Sequence, residues 1–258
     1  MSDIDWSKTK FRASSWGALL SEPKTKEEKE AGKLSLTCQK ELLKIYRKEK
    51  YGWDEDDITT QPMQKGTLVQ TGSIMMYSVL EGKVFVENDE ELENEWFKGK
   101  PDVYVGKSIR EADQVDDMKN SYLLSNFTDK MVESVTPAQK CQLNVYYCLS
   151  QASGGNIVHA LMSLPPEMFK EECDRLLWRM ANKGQIATEL APEYLYEVEK
   201  LKKKYIYDHI PPEERIFKQP VERDEELIQK MKNKVPLLRE WLYNFDILHS
   251  NQYKNSDK

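Results

Sequence analysis

Two acids and a lysine are the residues in this chain whose types and spacing could do chemistry. Gly99-Lys100-Pro101-Asp102 is followed, fifteen residues after the aspartate, by Asp117-Met118-Lys119. Val103-Tyr104-Val105 continues from Asp102 as a strand-type run, and Gln114 to Met118 leads into the lysine as a second. A short polar connection, Gly106 to Asp113, joins them. Two adjacent strands linked in this way can bring Asp102 and Asp117 side by side at one end of a sheet. Side chains alternate along a strand, so Asp117 and Lys119 share a face while Asp116 points to the other and is read as structural or solvated. Two carboxylates and an ammonium suit a divalent cation and a nucleophilic water, because hard cations take oxygen ligands and a lysine can orient the water. Pro-Asp is also a common turn, and Asp-x-Lys recurs by chance in a chain that is 32% charged. A solvated hairpin rim is the competing reading.

The elements that must hold these residues can be read in order. Residues 25–50 form one or two helices ending near Tyr51-Gly52, residues 54–63 an acidic and polar loop, and residues 64–80 a helix. Lys83 to Val86, Glu95 to Phe97 and Asp102 to Val105 read as short strands, and 114–119 as another. Pro137 opens a helix that runs to Gln151, with Gly154-Gly155 just past its end. Asn156 to Leu164 is a buried strand stopped by Pro165-Pro166. Helices 166–182 and 191–207 follow, then an edge strand, Arg215 to Val221, so placed because it contains Pro220. A helix over 223–247 closes the chain. The expected fold class is α/β, a central mixed β-sheet flanked by helices, in one domain spanning 1–258 with frayed ends at 1–10 and 248–258.

On the 137–151 helix, Gln139, Gln142 and Tyr146 sit at i, i+3 and i+7 and make one polar stripe. That stripe either faces solvent or leans over the acids and holds a substrate phosphate or the lysine.

Bulk composition bounds the rest. Net charge is -6, so nucleic-acid contact has to come from local clusters such as Lys200, Lys202, Lys203 and Lys204, each of which also reads as a solvated helix face. No apolar run is long enough to span a membrane, and the first residues lack the pattern of a signal peptide. The expectation is a cytoplasmic protein. The four cysteines show no C-x-x-C spacing, which argues against a zinc site and for reduced, buried thiols.

The acids and the lysine match the pattern PD-(D/E)xK, and further residues make the chain resemble the phage-type exonucleases of the YqaJ-like viral recombinase group, relatives of lambda exonuclease. Those residues are Gln142-Leu143-x-x-Tyr146, Phe11-Arg12-Ala13-Ser14-Ser15, Lys65-Gly66, Phe97-x-Gly99-x-Pro101-Asp102 and Asp117-x-Lys119-x-Ser121 with Phe127. Gly155-Asn156-Ile157-Val158, Pro165-Pro166-Glu167, Ile210-Pro211 and Arg215 add to the match, which runs from about residue 11 to residue 243. The resemblance implies a restriction-endonuclease-like core and a Mg2+- or Mn2+-dependent exonuclease acting on double-stranded DNA ends. It implies that Asp102, Asp117 and the Met118 carbonyl hold the metal, that Lys119 positions the water, and that Gln142 and Tyr146 orient the lysine side or the phosphate. Ser14, Ser15, Arg215, Lys202 and Lys203 would contact DNA. The group usually carries a glutamate where this sequence has Gln70, which leaves a second metal position in question. The resemblance also implies a ring-shaped homo-oligomer and a single-strand annealing protein as partner. The competing expectations are a catalytically weakened DNA-end-binding protein and an endonuclease on the same core.

Overall fold

The computed structural model describes residues 4–54, 59–184, 188–189 and 191–250. The chain enters through a 3-10 turn at Trp6–Lys8, strand β1 (Phe11–Arg12), a second 3-10 turn and the short helix α1 (Trp16–Leu19). Helices α2 (Lys26–Glu30), α3 (Leu36–Tyr51) and α4 (Gln61–Glu81) follow. Five strands come next: β2 (Val86–Glu87), β3 (Leu92–Glu93), β4 (Phe97–Gly99), β5 (Val103–Gly106) and β6 (Ala112–Ser121). Then come α5 (Leu124–Val132), α6 (Pro137–Ser150), β7 (Gly154–Leu161), α7 (Pro166–Asn182), α8 (Pro192–Tyr205), β8 (Ile216–Glu222) and α9 (Glu225–Ser250).

The strands form a five-stranded sheet in the order β2-β5-β6-β7-β8 and a three-stranded one in the order β1-β4-β3. In the larger sheet only β6 and β7 run parallel; the other pairs are antiparallel. This is the expected α/β architecture, a mixed sheet with helices on both faces. One face meets the main core, where Val115 and Ile157 pack with Leu143, Val145 and Tyr147 of α6 and with Val235 and Leu238 of α9. The other face meets α4, where Ile74 and Tyr77 pack on Val103, Met118 and Val158.

Local chemistry explains most boundaries. Ser35 caps α3 by accepting the Cys38 N–H at 3.0 Å, and Gly52 ends it in the left-handed conformation. Thr136 and Gln139 form a reciprocal capping box at the start of α6, with Pro137 in the first turn. Gln139 is therefore occupied by the helix end and only half-buried, whereas Gln142 and Tyr146 turn inward.

Several expectations are corrected. Helix α5 was not anticipated, because Leu124–Val132 is short and its apolar contact, Phe127, is matched by the distant Leu161, Tyr207 and Phe217. The 83–86 strand shrinks to β2 at Val86–Glu87. The helix before Gly154-Gly155 ends at Gln151, which takes φ 63° itself. The two glycines instead open β7, and Gly155 is there for lack of space: a Cβ on it would lie 1.7 Å from the Val115 carbonyl oxygen. Of the two ends expected to fray, residues 4–10 are docked. Trp6 is buried, stacks on Tyr46 at 5.5 Å and donates its indole N–H to Asp246 at 2.9 Å. Residues 248–250 continue α9, and 251–258 lie outside the described residues. Part of the 54–63 loop also lies outside them, and Gln61 to Met63 already belong to α4.

Gly155→Ala is expected to destabilise the protein by about 3 kcal/mol or more, since the clash is with backbone that is paired on both sides. Urea unfolding of the two forms checks this; Gly66→Ala, where a Cβ meets nothing within 4 Å, is the control.

Candidate active site

The site lies where β5 and β6 part. Their register pairs Val103 with Asp116 and Tyr104 with Val115. Continued by one residue, it sets Asp102 opposite Asp117 on the α6 face; continued by two, it sets Pro101 opposite Met118. The ladder stops there. Proline has no N–H to give, and the Pro101 carbonyl turns to the Asn88 side-chain amide at 3.0 Å. The Met118 N–H is taken instead by Asp102 Oδ2 at 2.7 Å. The N–H and C=O of one strand residue point to the same edge, so the Met118 carbonyl faces the same gap as the Asp102 carboxylate.

Asp117 is buried, with Lys119 Nζ 2.5 Å from its Oδ2. That contact is an ion pair with poor hydrogen-bond alignment, and Oδ2 has no other partner. Oδ1 accepts from the Gln142 side-chain amide at 2.9 Å, and the same amide nitrogen donates to the Tyr146 hydroxyl at 2.9 Å. The Tyr146 oxygen thus accepts, and its own proton is left to point elsewhere. Burial, then the Asp117 charge, pushes the Tyr146 phenol well above its ordinary range, so it stays protonated. Burial pulls the Lys119 ammonium down, but the close contact and charge of Asp117 and the charge of Asp102 outweigh it, and its pKa lies above the ordinary lysine value. Burial, followed by the neighbouring Asp117 charge, raises Asp102 to about 7.

Two close acids, one forced toward its neutral form and one with an oxygen that accepts no well-aligned hydrogen bond, are what a divalent cation would relieve. Among the described residues no group of three or more His, Cys, Asp and Glu gathers around a cation position. The donor set is a pair of carboxylates with a backbone carbonyl beside them. That fits Mg2+ or Mn2+, since Mg2+ is commonly held by one or two carboxylates with water and substrate phosphates filling the remaining positions.

No protein-family model and no curated protein sequence matches the chain. Solved structures do. A phage-related exonuclease from Haemophilus somnus 129PT is 25% identical and superposes with a TM-score of 0.70 over 95% of this chain and 96% of its own. The alkaline exonuclease LHK-Exo from Laribacter hongkongensis, 14% identical, matches over 96% and 97% with a TM-score of 0.61. Its complex with dAMP, 13% identical over 94% of each chain, gives a TM-score of 0.59. The chain has the restriction-endonuclease-like fold of the phage-type exonucleases. The resemblance carried by scattered motifs is matched by nearly the whole length of the structure.

Within this exonuclease fold the other expected residues fall in different places. Ser14 is exposed and, with Arg12, Ala13, Glu91, Gly99, Lys100 and Tyr146, lines a cavity of about 160 Å³; Ser15 is buried. Gly99 makes that approach possible, because a Cβ there would sit 2.9 Å from the Tyr146 ring and 3.0 Å from Ala13. Gln70 lies on α4, across the sheet from Asp117, and donates to Glu87 at 3.3 Å. Its amide makes no hydrogen bond to Asp102 or Asp117. Arg215 is largely buried beside Asp208 at 3.7 Å, with its Nε unpartnered. Lys202 pairs with Glu199 at 2.7 Å on the exposed side of α8, and Lys203 is exposed next to it.

Two neighbours of the site carried no expected role in the sequence. Lys65 is fully buried and donates to the Ser121 and Tyr122 carbonyls at 2.9 and 3.0 Å, tying α4 to the end of β6 just beyond Lys119. Burial lowers it to about 8. His159 is the β7 partner of Lys119 and shares its face. It is buried, stacked on Phe217 at 4.7 Å, and bonded to Gln219 at 3.2 Å. Burial lowers its pKa, so it borders the site as a neutral ring. Cross-strand pairing is what brings it there, and no local motif signals that.

Asp102 supplies a pH prediction. Its folded pKa, about 7, exceeds its ordinary 3.8, so between those values the native state holds a proton that the unfolded chain has lost. Its contribution to stability is present at low pH and falls as pH rises through about 7. Asp102→Asn keeps the acceptor for Met118 and removes the charge. It is expected to raise the melting temperature at pH 8 in EDTA and to abolish stabilisation by Mn2+. Gln70→Glu is expected to lower the melting temperature through repulsion with Glu87, and to leave the Mn2+-induced shift unchanged. Calorimetry with and without Mn2+ checks both.

Proposed function

We propose that the protein is a Mg2+- or Mn2+-dependent DNA exonuclease that hydrolyses phosphodiesters at the ends of linear duplex DNA. The observation that carries this reading is the convergence of Asp102, Asp117 and Lys119 at the break between two strands, in a fold shared with exonucleases.

Asp102, Asp117 and the Met118 carbonyl would hold the cation, which when bound supplies Lewis-acid stabilisation of the charge that develops on the phosphate and the leaving oxygen. The residues of the chain supply the rest. Lys119 remains protonated, so it serves as a hydrogen-bond donor and positive charge that orients the attacking water against the scissile phosphorus. Gln142 fixes Asp117 and Tyr146 in one geometry through its two amide hydrogens. Tyr146, whose oxygen is already an acceptor, can turn its proton to a phosphate oxygen in the cavity that Ser14, Arg12 and Lys100 line together with one acid, Glu91. A group that accepts a phosphate next to the hydrolytic centre favours a substrate that ends nearby over a continuous strand.

Asp117→Ala and Lys119→Ala are each expected to abolish degradation of linear duplex DNA in Mg2+ while the circular dichroism spectrum stays that of the parent. Gln142→Ala is expected to reduce turnover by about tenfold to a hundredfold with little change in DNA affinity, because positioning matters most in the transition state. Covalently closed circular DNA should resist the parent protein. Digestion of circles at the rate of linear duplex would replace the exonuclease reading with an endonuclease one, and near-normal cleavage by a folded Lys119→Ala protein would remove the assignment of the site.

A further inference from the structure

Helices α7 and α8 form a hairpin with a small core of its own, built from Leu176, Met180, Ala191 and Tyr194. It is rooted on the body through Leu164, Met168 and Tyr205. An open groove of about 610 Å³ runs between the two helices. Its rims carry Arg179 and Lys183 from α7 and its following turn, and Lys200 and Lys204 from α8. Leu176 and Met180 form part of the wall between them. Two acids, Glu193 and Glu197, also line it, and Glu197 is held by Lys200 at 2.6 Å. Arg179, Lys183 and Lys204 form no ion pair with a described residue. A protein of net charge -6 thus concentrates four cations against two acids in one groove.

Spacing and shape narrow the ligand. Tyr196, Lys200 and Lys204 recur every four residues, which sets them about 6 Å apart along one face of α8. Tyr196 is 65% exposed, and the Lys200 ammonium lies 4.3 Å over its ring. An exposed aromatic ring at the end of a row of regularly spaced cations, with one face left clear of Lys200, suits a polyanion with flat, uncovered bases. Packed helices lie only about 8–10 Å apart, too close for the groove between them to admit a duplex, whose bases are closed off in any case. We propose that the groove between α7 and α8 is a track for single-stranded nucleic acid, with phosphates on Lys183, Lys204 and Arg179 and a base stacked on Tyr196. The track rests on the exonuclease reading only for the source of the strand, which would be the one left when the other is digested.

The test uses the full chain in EDTA, so that nothing is hydrolysed, and follows the anisotropy of a short fluorescein-labelled oligo(dT). Lys183→Glu with Lys204→Glu, one change on each rim, should weaken binding by about tenfold or more and flatten its salt dependence. Lys24→Glu with Lys33→Glu makes the same change in charge on exposed lysines outside the groove, and should weaken it by no more than about twofold. Tyr196→Ala should weaken binding at high salt as well as low, as loss of stacking does. Equal losses in the two charge-reversed doubles, an unchanged affinity in all variants, or an equal loss of blunt-duplex binding in the groove variant would each overturn the track. Cleavage of a short duplex in Mg2+ is measured alongside. Normal cleavage with unaltered oligo(dT) binding removes the track alone; absence of cleavage by the parent removes the nuclease reading and leaves the binding result to stand.

Discussion

The structure depends on one interrupted pairing. At Pro101 the β5–β6 ladder ends: the proline has no N–H to give the Met118 carbonyl, and its own carbonyl accepts from the Asn88 side chain instead of from Met118. The Met118 N–H would be left unpaired at the edge of a buried strand, a costly state for a backbone group. Asp102 accepts it, and that single bond fixes the carboxylate at the mouth of the gap with the Met118 carbonyl on the same side. The proline is therefore as much a part of the site as the acids. It frees the backbone oxygen that a cation would use.

The sheet then separates two aspartates that are adjacent in sequence. Asp116 points toward α4 and is saturated: it accepts from Tyr77 at 3.0 Å, Gln114 at 2.8 Å, and the Asn156 backbone and side chain at 2.6 and 3.0 Å. It fastens α4, β6 and β7 together. Asp117, one residue on, points toward α6 and keeps an oxygen without a well-aligned donor. The first is built to hold the fold and the second to receive something. Burial raises Asp116 as it does Asp102, but four donors satisfy Asp116, whereas Asp102 faces another acid.

Helix α6 serves both layers. Its apolar residues Leu143, Val145 and Tyr147 belong to the main core, and its Gln142 and Tyr146 reach the acids. The close seat this needs is set by small residues. Gly17 of α1 lies against Ala138, where a Cβ would be 2.4 Å from the Ala138 Cβ, and Gly99 lies against Tyr146. On the far side, Lys65 holds the last carbonyls of β6. The strand that carries Asp117 and Lys119 is gripped along its length, while the α7–α8 hairpin is rooted beyond its end, where Met168 and Tyr205 pack with Tyr122 and Leu123.

The sequence by itself determined the α/β class, the order of nearly all the helices and the strands carrying Asp102, Asp117 and Lys119, because those rest on local signals: alternation, caps and prolines. Its motifs also carried the likeness to phage-type exonucleases. Tertiary structure decided the rest. Whether Gln142 and Tyr146 faced solvent or the acids could not be read from a stripe that helical spacing makes ambiguous; the seating of α6 turned them inward. Gln70 looked like part of the site by position along α4, but α4 packs on the opposite face of the sheet, and its amide meets Glu87 instead. His159 reaches the side of Lys119 only because β7 runs parallel to β6 in one register. Helix α5 and the docked Trp6 depend on partners far along the chain, Leu161 and Tyr207 for the one and Asp246 for the other. Of the run of lysines in α8, the groove is lined by Lys200 and Lys204 and not by the two between them, because a helix turns about 100° per residue and only spacing near four returns to one face.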